Sequence, residues 1–485
     1  MIDWKTIYKV LGSLLFIEVA LMLCCMGVAF GYHEDDSMAF LVSIIITSLA
    51  GLILKFFGRK SDNSLSRRDA YLVVTLSWVV FSFFGTTPFL ISGYLTSFTD
   101  AYFECMSGFT TTGATIIDDV EALPHGLLFW RSLTQWIGGL GIVFFTIALL
   151  PSLVGGSVKV FAAEATGPIK SKLHPRLSTS AKWIWVIYLI ITAGCIASYY
   201  ACGMGWFDSI NYSMTTTATG GFATHNESIG FFHSPSLEYS CTLFTFLSGV
   251  NFTLLYAAIM KFKVKQLFKS SEFRFYLFIV LAFAGFIMFE LMLHNHYDVE
   301  HAFRSGIFQV VSFITTTGLF NDDASKWPHV TWVILAVCMS LGACSGSTSG
   351  GLKCIRGTML LKIVRNEFRQ ILHPNAVLPM KVDGVNVPLQ PRVTLLSFLT
   401  VYLLLCIFIS FSMIVMGIDN TNAITITLSS IGNVGPTLGT EIGPTMSWSM
   451  LPDLAKWECS LMMLIGRLEI FTVLVIFTPE FWRRN

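Results

Sequence analysis

Ten stretches of this 485-residue sequence are apolar and long enough to cross a lipid bilayer. Hydrophobic residues make up 54% of the chain and charged residues only 13%, about half the charged share of a typical globular protein. So few charges do not cover the surface of a soluble protein of this length. The sequence therefore predicts an all-α integral membrane protein and excludes soluble enzymes, disulfide-rich secreted proteins and disordered chains. The predicted spans lie at 5–31, 38–57, 70–95, 126–154, 182–203, 237–262, 273–294, 328–366, 394–418 and 452–478.

The loops between these spans alternate in charge along the chain. Basic residues follow the second, fourth, sixth and eighth spans, at 55–68, 159–182, 261–274 and 353–392. The opposite loops carry acidic residues, at 34–36, 118–121 and 322–323. Because loops rich in Lys and Arg stay on the cytoplasmic side of a membrane, both chain termini are predicted to be cytoplasmic.

Four of the acidic-side connections share one pattern, in which a preferred helix N-cap is followed by about nine helix-forming residues and then by Thr and Gly. The segments are DAYFECMSGFTTTGAT from Asp100, DSINYSMTTTATGG from Asp208, SGIFQVVSFITTTG from Ser305 and NAITITLSSIGNVGP from Asn422. Internal repetition of this kind indicates a repeated structural unit. Each unit is predicted to be a span, a short re-entrant pore helix, a glycine loop and a second span.

The predicted fold class is therefore four span–pore helix–span repeats around one pore, preceded by an N-terminal two-helix hairpin. The boundaries are 1–68 for the hairpin, 69–180 for repeat 1, 181–270 for repeat 2, 271–391 for repeat 3 and 392–485 for repeat 4. The distances from the four N-caps to Gly113, Gly220, Gly318 and Gly435 are 13, 12, 13 and 13 residues.

The repeated loops have the chemistry of a cation site. A short helix that enters the membrane places its C-terminal end, about half a negative charge, toward the centre. A glycine lets successive backbone carbonyls turn toward one line, and four such loops replace the water shell of a dehydrated cation. Close helix packing explains a single glycine equally well, but it is a weaker explanation for four in register. The candidate filter residues are Thr111, Thr112, Gly113, Ala218, Thr219, Gly220, Thr316, Thr317, Gly318, Asn433, Val434 and Gly435.

These four short motifs look like degenerate versions of the TVG core of potassium-channel filters. Four covalently joined repeats after a two-helix extension resemble the superfamily of potassium transporters that contains TrkH, KtrB and the plant HKT proteins, and the hairpin and overall length resemble its bacterial TrkH branch. In that family a glycine at this position of all four repeats accompanies K⁺ selectivity. Each loop here has one such glycine rather than the two of a channel filter, which argues against multi-ion knock-on and a strict preference for K⁺ over Na⁺.

The resemblance implies potassium uptake across the bacterial inner membrane, with K⁺ as the bound ion and no organic cofactor in this chain. It also implies a homodimer in membrane lipid that sits on a cytosolic ring of nucleotide-binding TrkA subunits, for which the basic segment 353–392 offers a docking surface. No nucleic-acid partner and no enzymatic activity are expected. Proton- or Na⁺-coupled K⁺ symport is the close alternative, and a secondary transporter of a small solute is the alternative from another class.

The eighth span contains the string LGACSGSTSGGLKC at 341–354, which is a poor helix former. A break at this place in the second span of repeat 3 should line the pore, and the family resemblance implies an intramembrane gating loop beneath the filter. A close helix crossing is the alternative explanation. Arg467, in the middle of the last span, should face water or a partner because a central arginine is costly in lipid. The candidate gate residues are Gly346, Ser347, Thr348, Ser349, Gly350, Gly351, Lys353 and Arg467.

The sequence also predicts the surroundings of three other charged residues. Glu104, in the first pore helix, is expected to cap the helix, face solvent or add negative potential at the pore mouth. Arg131 is expected to extend to the outer membrane interface. A salt bridge between Arg467 and Glu469 is not expected, because residues two apart on a helix point to different faces.

Overall fold

The computed structural model describes residues 2–61, 65–141, 177–439 and 441–483. Apart from one small hairpin, the regular structure of these residues is helical. The hairpin pairs β1 (Lys381–Val382) with β2 (Val385–Asn386) in antiparallel register, with Lys381 opposite Asn386. An all-α protein is therefore confirmed.

The N-terminal hairpin consists of α1 (Trp4–Tyr32) and α2 (Asp36–Gly58). The two helices approach closely at Gly12, where a Cβ atom would lie 2.8 Å from the carbonyl oxygen of Gly51. Small residues at such a crossing let two helix backbones pack together in a membrane. The outer side of α2 is exposed and apolar, as expected for a face that meets lipid tails; its members include Leu49, Leu52, Ile53, Phe56 and Phe57.

The rest of the described chain follows the predicted order of span, re-entrant helix and second span, four times over. Repeat 1 contains α3 (Arg67–Gly85), α4 (Thr87–Ser92), α5 (Phe98–Phe109) and α6 (His125–Leu140). Repeat 2 contains α7 (Leu177–Ala201), α8 (Trp206–Ala218), α9 (Pro235–Ser248), α10 (Phe252–Met260) and α11 (Lys265–Lys269). Short 3-10 turns lie at Ser228–Phe232 and Ala324–Lys326.

The second half of the chain repeats this arrangement. Repeat 3 contains α12 (Ser271–His294), α13 (Val299–Ile314), α14 (His329–Leu341) and α15 (Cys354–Leu372). Repeat 4 contains α16 (Leu389–Val415), α17 (Asn420–Gly432), α18 (Asp453–Arg467), α19 (Phe471–Leu474), a 3-10 turn at Val475–Phe477 and α20 (Pro479–Trp482). The re-entrant helices are α5, α8, α13 and α17.

Six of the ten predicted spans are single apolar runs long enough to cross a membrane: α1, α2, α3 with α4, α7, α12 and α16. Two others, predicted at 237–262 and 452–478, bend by 108° between α9 and α10 and between α18 and α19. The span predicted at 328–366 is interrupted after the 13 residues of α14. The span predicted at 126–154 lies within the described residues only as far as Gly141.

The breaks have local causes in the sequence. Asn251 begins α10 as a side-chain N-cap, accepting from the backbone N–H of Thr253 at 2.8 Å, so the chain starts a new helix there. After Arg467, Glu469 and Ile470 take positive φ angles of 58° and 52°, a conformation that is rare for a β-branched residue. Hydropathy shows that such segments are apolar, but it does not reveal where their helices stop.

Buried apolar side chains form two main clusters. The first joins the N-terminal hairpin to repeats 1 and 4, and the second joins repeats 2 and 3. The four loops that follow the re-entrant helices lie where the repeats meet, and their Thr and Asn residues are buried.

Candidate ion pathway

The four re-entrant helices begin earlier than predicted. Asp298 and Asp419 are the N-caps of α13 and α17, and their carboxylates accept the backbone N–H groups of Glu300 and Thr421. In α5 the cap is Ser97, and in α8 it is Gly205 without a side-chain bond. The predicted caps Asp100, Asp208, Ser305 and Asn422 are therefore wrong by three to seven residues, since each lies inside its helix. An earlier capping or loop residue in each case begins the helix.

The four helices end in the same way. A residue with φ of 54–55° follows the last helical turn in every repeat, namely Thr111, Thr219, Thr316 and Asn433. The next N–H group donates back across the helix end to the carbonyl five residues earlier, at 2.8–3.0 Å; the pairs are Thr112 with Ser107, Gly220 with Thr215, Thr317 with Ser312 and Val434 with Ser429. This left-handed ending is the usual way to terminate a helix while satisfying its last carbonyls.

In all four loops the residue after this N–H donor is a glycine with φ between 79° and 97°. These glycines are Gly113, Gly221, Gly318 and Gly435. The predicted register of the second loop is therefore wrong by one position. Gly221 stands where Gly220 was expected, Gly220 corresponds to Thr112, and Ala218 is the last residue of α8. With Gly221 the count from Asp208 becomes 13 residues, as in the other three repeats.

The four loops close into a ring. A Cβ atom on Gly113 would overlap the carbonyl oxygen of Gly220, and one on Gly221 would overlap that of Thr317. The same geometry joins Gly318 to the carbonyl of Val434, and Gly435 to that of Thr112 at 2.6 Å. Each glycine thus allows the backbone of the next repeat to approach, in the order 1, 2, 3, 4 and back to 1.

Different polar groups support the ring in different repeats. The hydroxyls of Thr110 and Thr112 are 2.9 Å apart, and those of Thr315 and Thr317 are 2.8 Å apart. Asn433 donates to the Thr112 hydroxyl at 2.9 Å, which ties repeat 4 to repeat 1. Each loop is therefore held through its own set of buried contacts.

Gln135 supports the second loop, and sequence reasoning missed it. Its amide nitrogen donates to the carbonyl of Gly220 at 2.8 Å, and its amide oxygen accepts from the N–H of Phe222 at 3.0 Å. Its side chain occupies the space that a side chain on Gly220 would fill. A polar residue within the apolar segment 126–140 was the only signal in the sequence.

A buried ion pair lies beside the first loop and overturns two interpretations. Glu104 and Arg131 are 1% and 2% exposed and their side chains are 2.9 Å apart. Glu104 also accepts from the backbone N–H of Ile116 at 3.1 Å, and Arg131 donates to the carbonyl of Ala223 at 3.0 Å. Arg131 therefore does not extend to the interface, and Glu104 is neither a helix cap nor a solvent-facing charge. The pair holds the segments that leave the first and second loops.

The predicted gate residues other than Arg467 lie in an irregular loop between α14 and α15. Gly342, Gly346, Gly351 and Lys353 all have positive φ angles, which prevents a continuous helix. The N–H of Gly350 donates to the Thr316 hydroxyl at 2.7 Å, and the Thr348 hydroxyl donates to the carbonyls of Thr217 at 3.1 Å and Ser248 at 3.3 Å. The loop, defined here as 342–353, therefore contacts the ends of re-entrant helices α8 and α13 and the break in the second span of repeat 2.

Arg467 connects this loop to two further repeats. Its guanidinium donates to the carbonyl of Thr348 at 2.9 Å and to those of Gly138 and Gly139 at 2.5 and 2.7 Å. Arg467 belongs to repeat 4, Gly138 and Gly139 to repeat 1, and Thr348 to repeat 3. The second spans of all four repeats thus meet at the depth of the loop.

The other basic residues near the loop also have identified acceptors. The ammonium group of Lys353, a buried residue, donates to the carbonyl of Ser349 in the same loop. Arg356 forms an ion pair with Glu469, which lies 113 positions away. The positive charges below the ring are therefore bound to backbone carbonyls of the loop, and Glu469 is paired with the first turn of α15.

Comparisons with known proteins agree with this architecture. The family model TrkH, described as "Cation transport protein", matches residues 36–484. The chain is 36% identical over 485 residues to the Trk system potassium uptake protein TrkH of Halomonas elongata, and 35% identical over 483 residues to that of Escherichia coli strain K12, with 99% of each chain covered.

A solved structure shares the fold. The crystal structure of the potassium transporter TrkH from Vibrio parahaemolyticus matches with a TM-score of 0.90 and 34% identity, covering 99% of this chain and 100% of that one. Together with the apolar helices, these similarities make the protein a multi-pass membrane protein. The chain belongs to the TrkH family of cation transport proteins.

Proposed function

We propose that this protein takes up potassium across the bacterial inner membrane through a selective pore formed by the four glycine loops. The observation that carries the proposal is the closed ring, in which Gly113, Gly221, Gly318 and Gly435 each receive a carbonyl of the next repeat. The TrkH proteins of Halomonas elongata and Escherichia coli, named for potassium uptake, support the same ion.

The filter would act through backbone carbonyls. The residues before the four glycines are Thr112, Gly220, Thr317 and Val434, and each of their carbonyls lies against the glycine of a neighbouring loop. Carbonyl oxygens replace the hydration shell of a dehydrated K⁺ ion. The negative ends of the re-entrant helices add a favourable potential at the same place. The filter residues are therefore proposed as Thr111, Thr112, Gly113, Thr219, Gly220, Gly221, Thr316, Thr317, Gly318, Asn433, Val434 and Gly435.

Loop 342–353 and Arg467 would form the gate. The loop contacts the ends of the re-entrant helices from below, and the Arg467 guanidinium is bound to its backbone at Thr348. A positive charge below a cation filter repels the ion, so conduction would require the loop and Arg467 to move together. This arrangement favours a gated channel over coupled symport.

Regulation would come from outside this chain. The name "Trk system" of the relatives implies further components, and we propose a homodimer on a cytosolic, nucleotide-binding TrkA ring, with both termini on that side. Helix α15 and the β1–β2 hairpin belong to the basic segment 353–392, and Arg365 and Arg369 on α15 are exposed. These residues are suited to bind an acidic partner surface.

The test is uptake of radioactive Rb⁺ into K⁺-loaded proteoliposomes, with K⁺, Na⁺ or Li⁺ as external competitors. We expect K⁺ but not Na⁺ to block uptake, and Gly318→Ser to let Na⁺ compete, because the new side chain meets the carbonyl of Val434. Gly285→Ser is the matched control, since a Cβ atom on Gly285 meets nothing within 4 Å.

If no Rb⁺ uptake is seen, a closed gate must be distinguished from the absence of an ion pathway. A variant with glycine at Ser347, Thr348 and Ser349 removes the hydrogen bonds of these three side chains and should raise uptake. If neither this variant nor the wild type admits Rb⁺, the pore hypothesis is wrong. Reversal potentials that follow the pH gradient would favour the symporter instead.

A further inference from the structure

Glu272 is a buried acidic residue next to the loop, and nothing in the pathway described above uses it. It lies in the first turn of α12, is 6% exposed, and follows the N-cap residue Ser270. A carboxylate in this position is favoured by the positive end of the helix dipole. One oxygen of this side chain accepts two backbone N–H groups, from Ser345 at 2.5 Å and from Ile355 at 3.1 Å.

These two donors stand on either side of the segment that contacts the filter. Ser345 precedes residues 346–354, and Ile355 follows them in the first turn of α15. Because both N–H groups bind one oxygen atom, the two ends of the segment are held at a fixed separation. Moving either end away from the other requires the loss of one of these bonds.

Repeat 2 holds the same end of the segment through a second set of contacts. The side-chain amide of Asn251 donates to the carbonyl of Ser345 at 2.5 Å, and the N–H of Phe252 donates to the carbonyl of Gly346 at 3.0 Å. These bonds are neutral, whereas those to Glu272 involve a charged acceptor and are about twice as strong. Glu272 is thus the stronger of the two attachments.

We propose that Glu272 is a positioning residue that holds loop 342–353 in its closed place, so that opening requires the release of Ser345 or Ile355 from its carboxylate. This inference rests on the proposed function, because it assumes that the loop is the gate.

The site also has a structural connection to the basic segment. A cavity of about 690 Å³ is lined by Glu272, Ser345, Ile355, Asn251 and Asp383, among others. Asp383, in the turn of the β1–β2 hairpin, accepts the N–H of Ser271 at 2.7 Å. The hairpin is therefore bound to the residue next to Glu272, and a displacement of the hairpin would pull on the start of α12. A partner that binds segment 353–392 would act on the gate through this contact.

The experiment measures Rb⁺ uptake by the full-length protein in proteoliposomes without any partner. Glu272→Gln keeps the shape of the side chain and removes its charge, and it should raise maximal uptake about five- to tenfold, since a hydrogen bond to a charged acceptor is replaced by one to a neutral acceptor. The half-saturating Rb⁺ concentration and the discrimination between K⁺ and Na⁺ should stay unchanged. Glu480→Gln, at an exposed residue of α20, is the matched control and should behave as the wild type.

Glu272→Asp is the second variant. It keeps the charge but is one methylene shorter, so it cannot reach both donors, and it should also raise uptake. Unchanged or lower uptake in both variants, or a loss of K⁺ over Na⁺ discrimination, would overturn the proposal. The variant with glycine at Ser347, Thr348 and Ser349 separates the two hypotheses. If it conducts and the Glu272 variants behave as the wild type, only the positioning role is wrong; if neither it nor the wild type conducts, the pore itself is wrong.

Discussion

Replacing Gly221 by alanine should damage ion selection far more than the same replacement at the neighbouring Gly220. Gly221 has a φ angle of 80°, and a Cβ atom there would overlap the backbone carbonyl of Thr317 in the next loop. Gly220 is not in the left-handed region, and a Cβ atom there meets the side-chain amide of Gln135, so accommodating it costs the two hydrogen bonds of that side chain but does not displace the backbone of another loop. The two glycines therefore differ in what a single methyl group would displace.

The left-handed conformation alone costs an L-residue about 1–2 kcal/mol, which corresponds to a factor of about 5–30 in the population of the native loop. Overlap with the Thr317 carbonyl adds to this cost, because the carbonyl must turn away from its place in the ring. We therefore expect Gly221→Ala to reduce the K⁺ over Na⁺ preference by at least about fivefold, and Gly220→Ala to change it less.

The assay is competition of Na⁺ with Rb⁺ uptake in proteoliposomes that contain each variant, with the thermal stability of each purified protein as the control. Equal loss of discrimination in the two variants would contradict the register derived from the backbone. A silent Gly221→Ala combined with a damaging Gly220→Ala would refute it and restore the register expected from the sequence.

Three further predictions concern residues outside the ring. Glu104→Gln should lower the free energy of unfolding by about 3–5 kcal/mol, because it leaves Arg131 buried without its ion-pair partner. The double variant Glu104→Leu with Arg131→Met should recover part of that loss. Thermal unfolding in detergent measures both effects, and equal melting temperatures for the wild type and Glu104→Gln would contradict the prediction. Burial lowers the pKa of His225, but its ion-pair contact with Asp208 and its hydrogen bond to Glu121 outweigh this and raise the pKa above its ordinary value. The stabilisation from His225 is then complete below the unfolded-state pKa of about 6.5 and is lost as the pH rises through the folded-state pKa. His225→Gln should therefore lower the melting temperature at about pH 5.5 and leave it unchanged at about pH 8.5. Arg365→Glu with Arg369→Glu should weaken co-purification with a TrkA ring, whereas Lys263→Glu with Lys265→Glu, outside the 353–392 segment, should not; equal binding by all variants would remove the docking surface.

The sequence predicted the fold class because the relevant signals are local and repeated. Hydropathy located α1, α2, α7, α12 and α16, and the spacing of Thr and Gly located all four re-entrant helices. The sequence also indicates the register of the second loop, since only Gly221 lies 13 residues after the start of its segment, as the glycines of the other three repeats do. Gly220 was expected because Thr-Gly at 219–220 matches the residue types of the first and third loops, although its spacing differs from theirs.

The remaining features depend on partners that lie far apart in the sequence. Arg131 is 27 positions from Glu104, and Arg356 is 113 positions from Glu469, so neither ion pair has a helical spacing that reveals it. The bends in the second spans arise from single residues, such as the N-cap Asn251, inside segments whose average hydropathy is that of a continuous span. Gln135 binds backbone groups of another repeat, and Glu272 binds backbone groups that lie 73 and 83 positions away in its own repeat. An isolated polar side chain does not indicate which backbone it will meet.

The bond between Asn433 and Thr112 joins residues that are 321 positions apart, and this has a consequence for biosynthesis. The chain is made from its N-terminus, so the first three loops are in the membrane before the residues that complete the circle have left the ribosome. A nascent or prematurely ended chain therefore contains three of the four loops and an incomplete ring, which would not surround a dehydrated cation. In the proposed function, the ability to choose between ions would arise in a single late step, when the last quarter of the protein inserts and packs against the first.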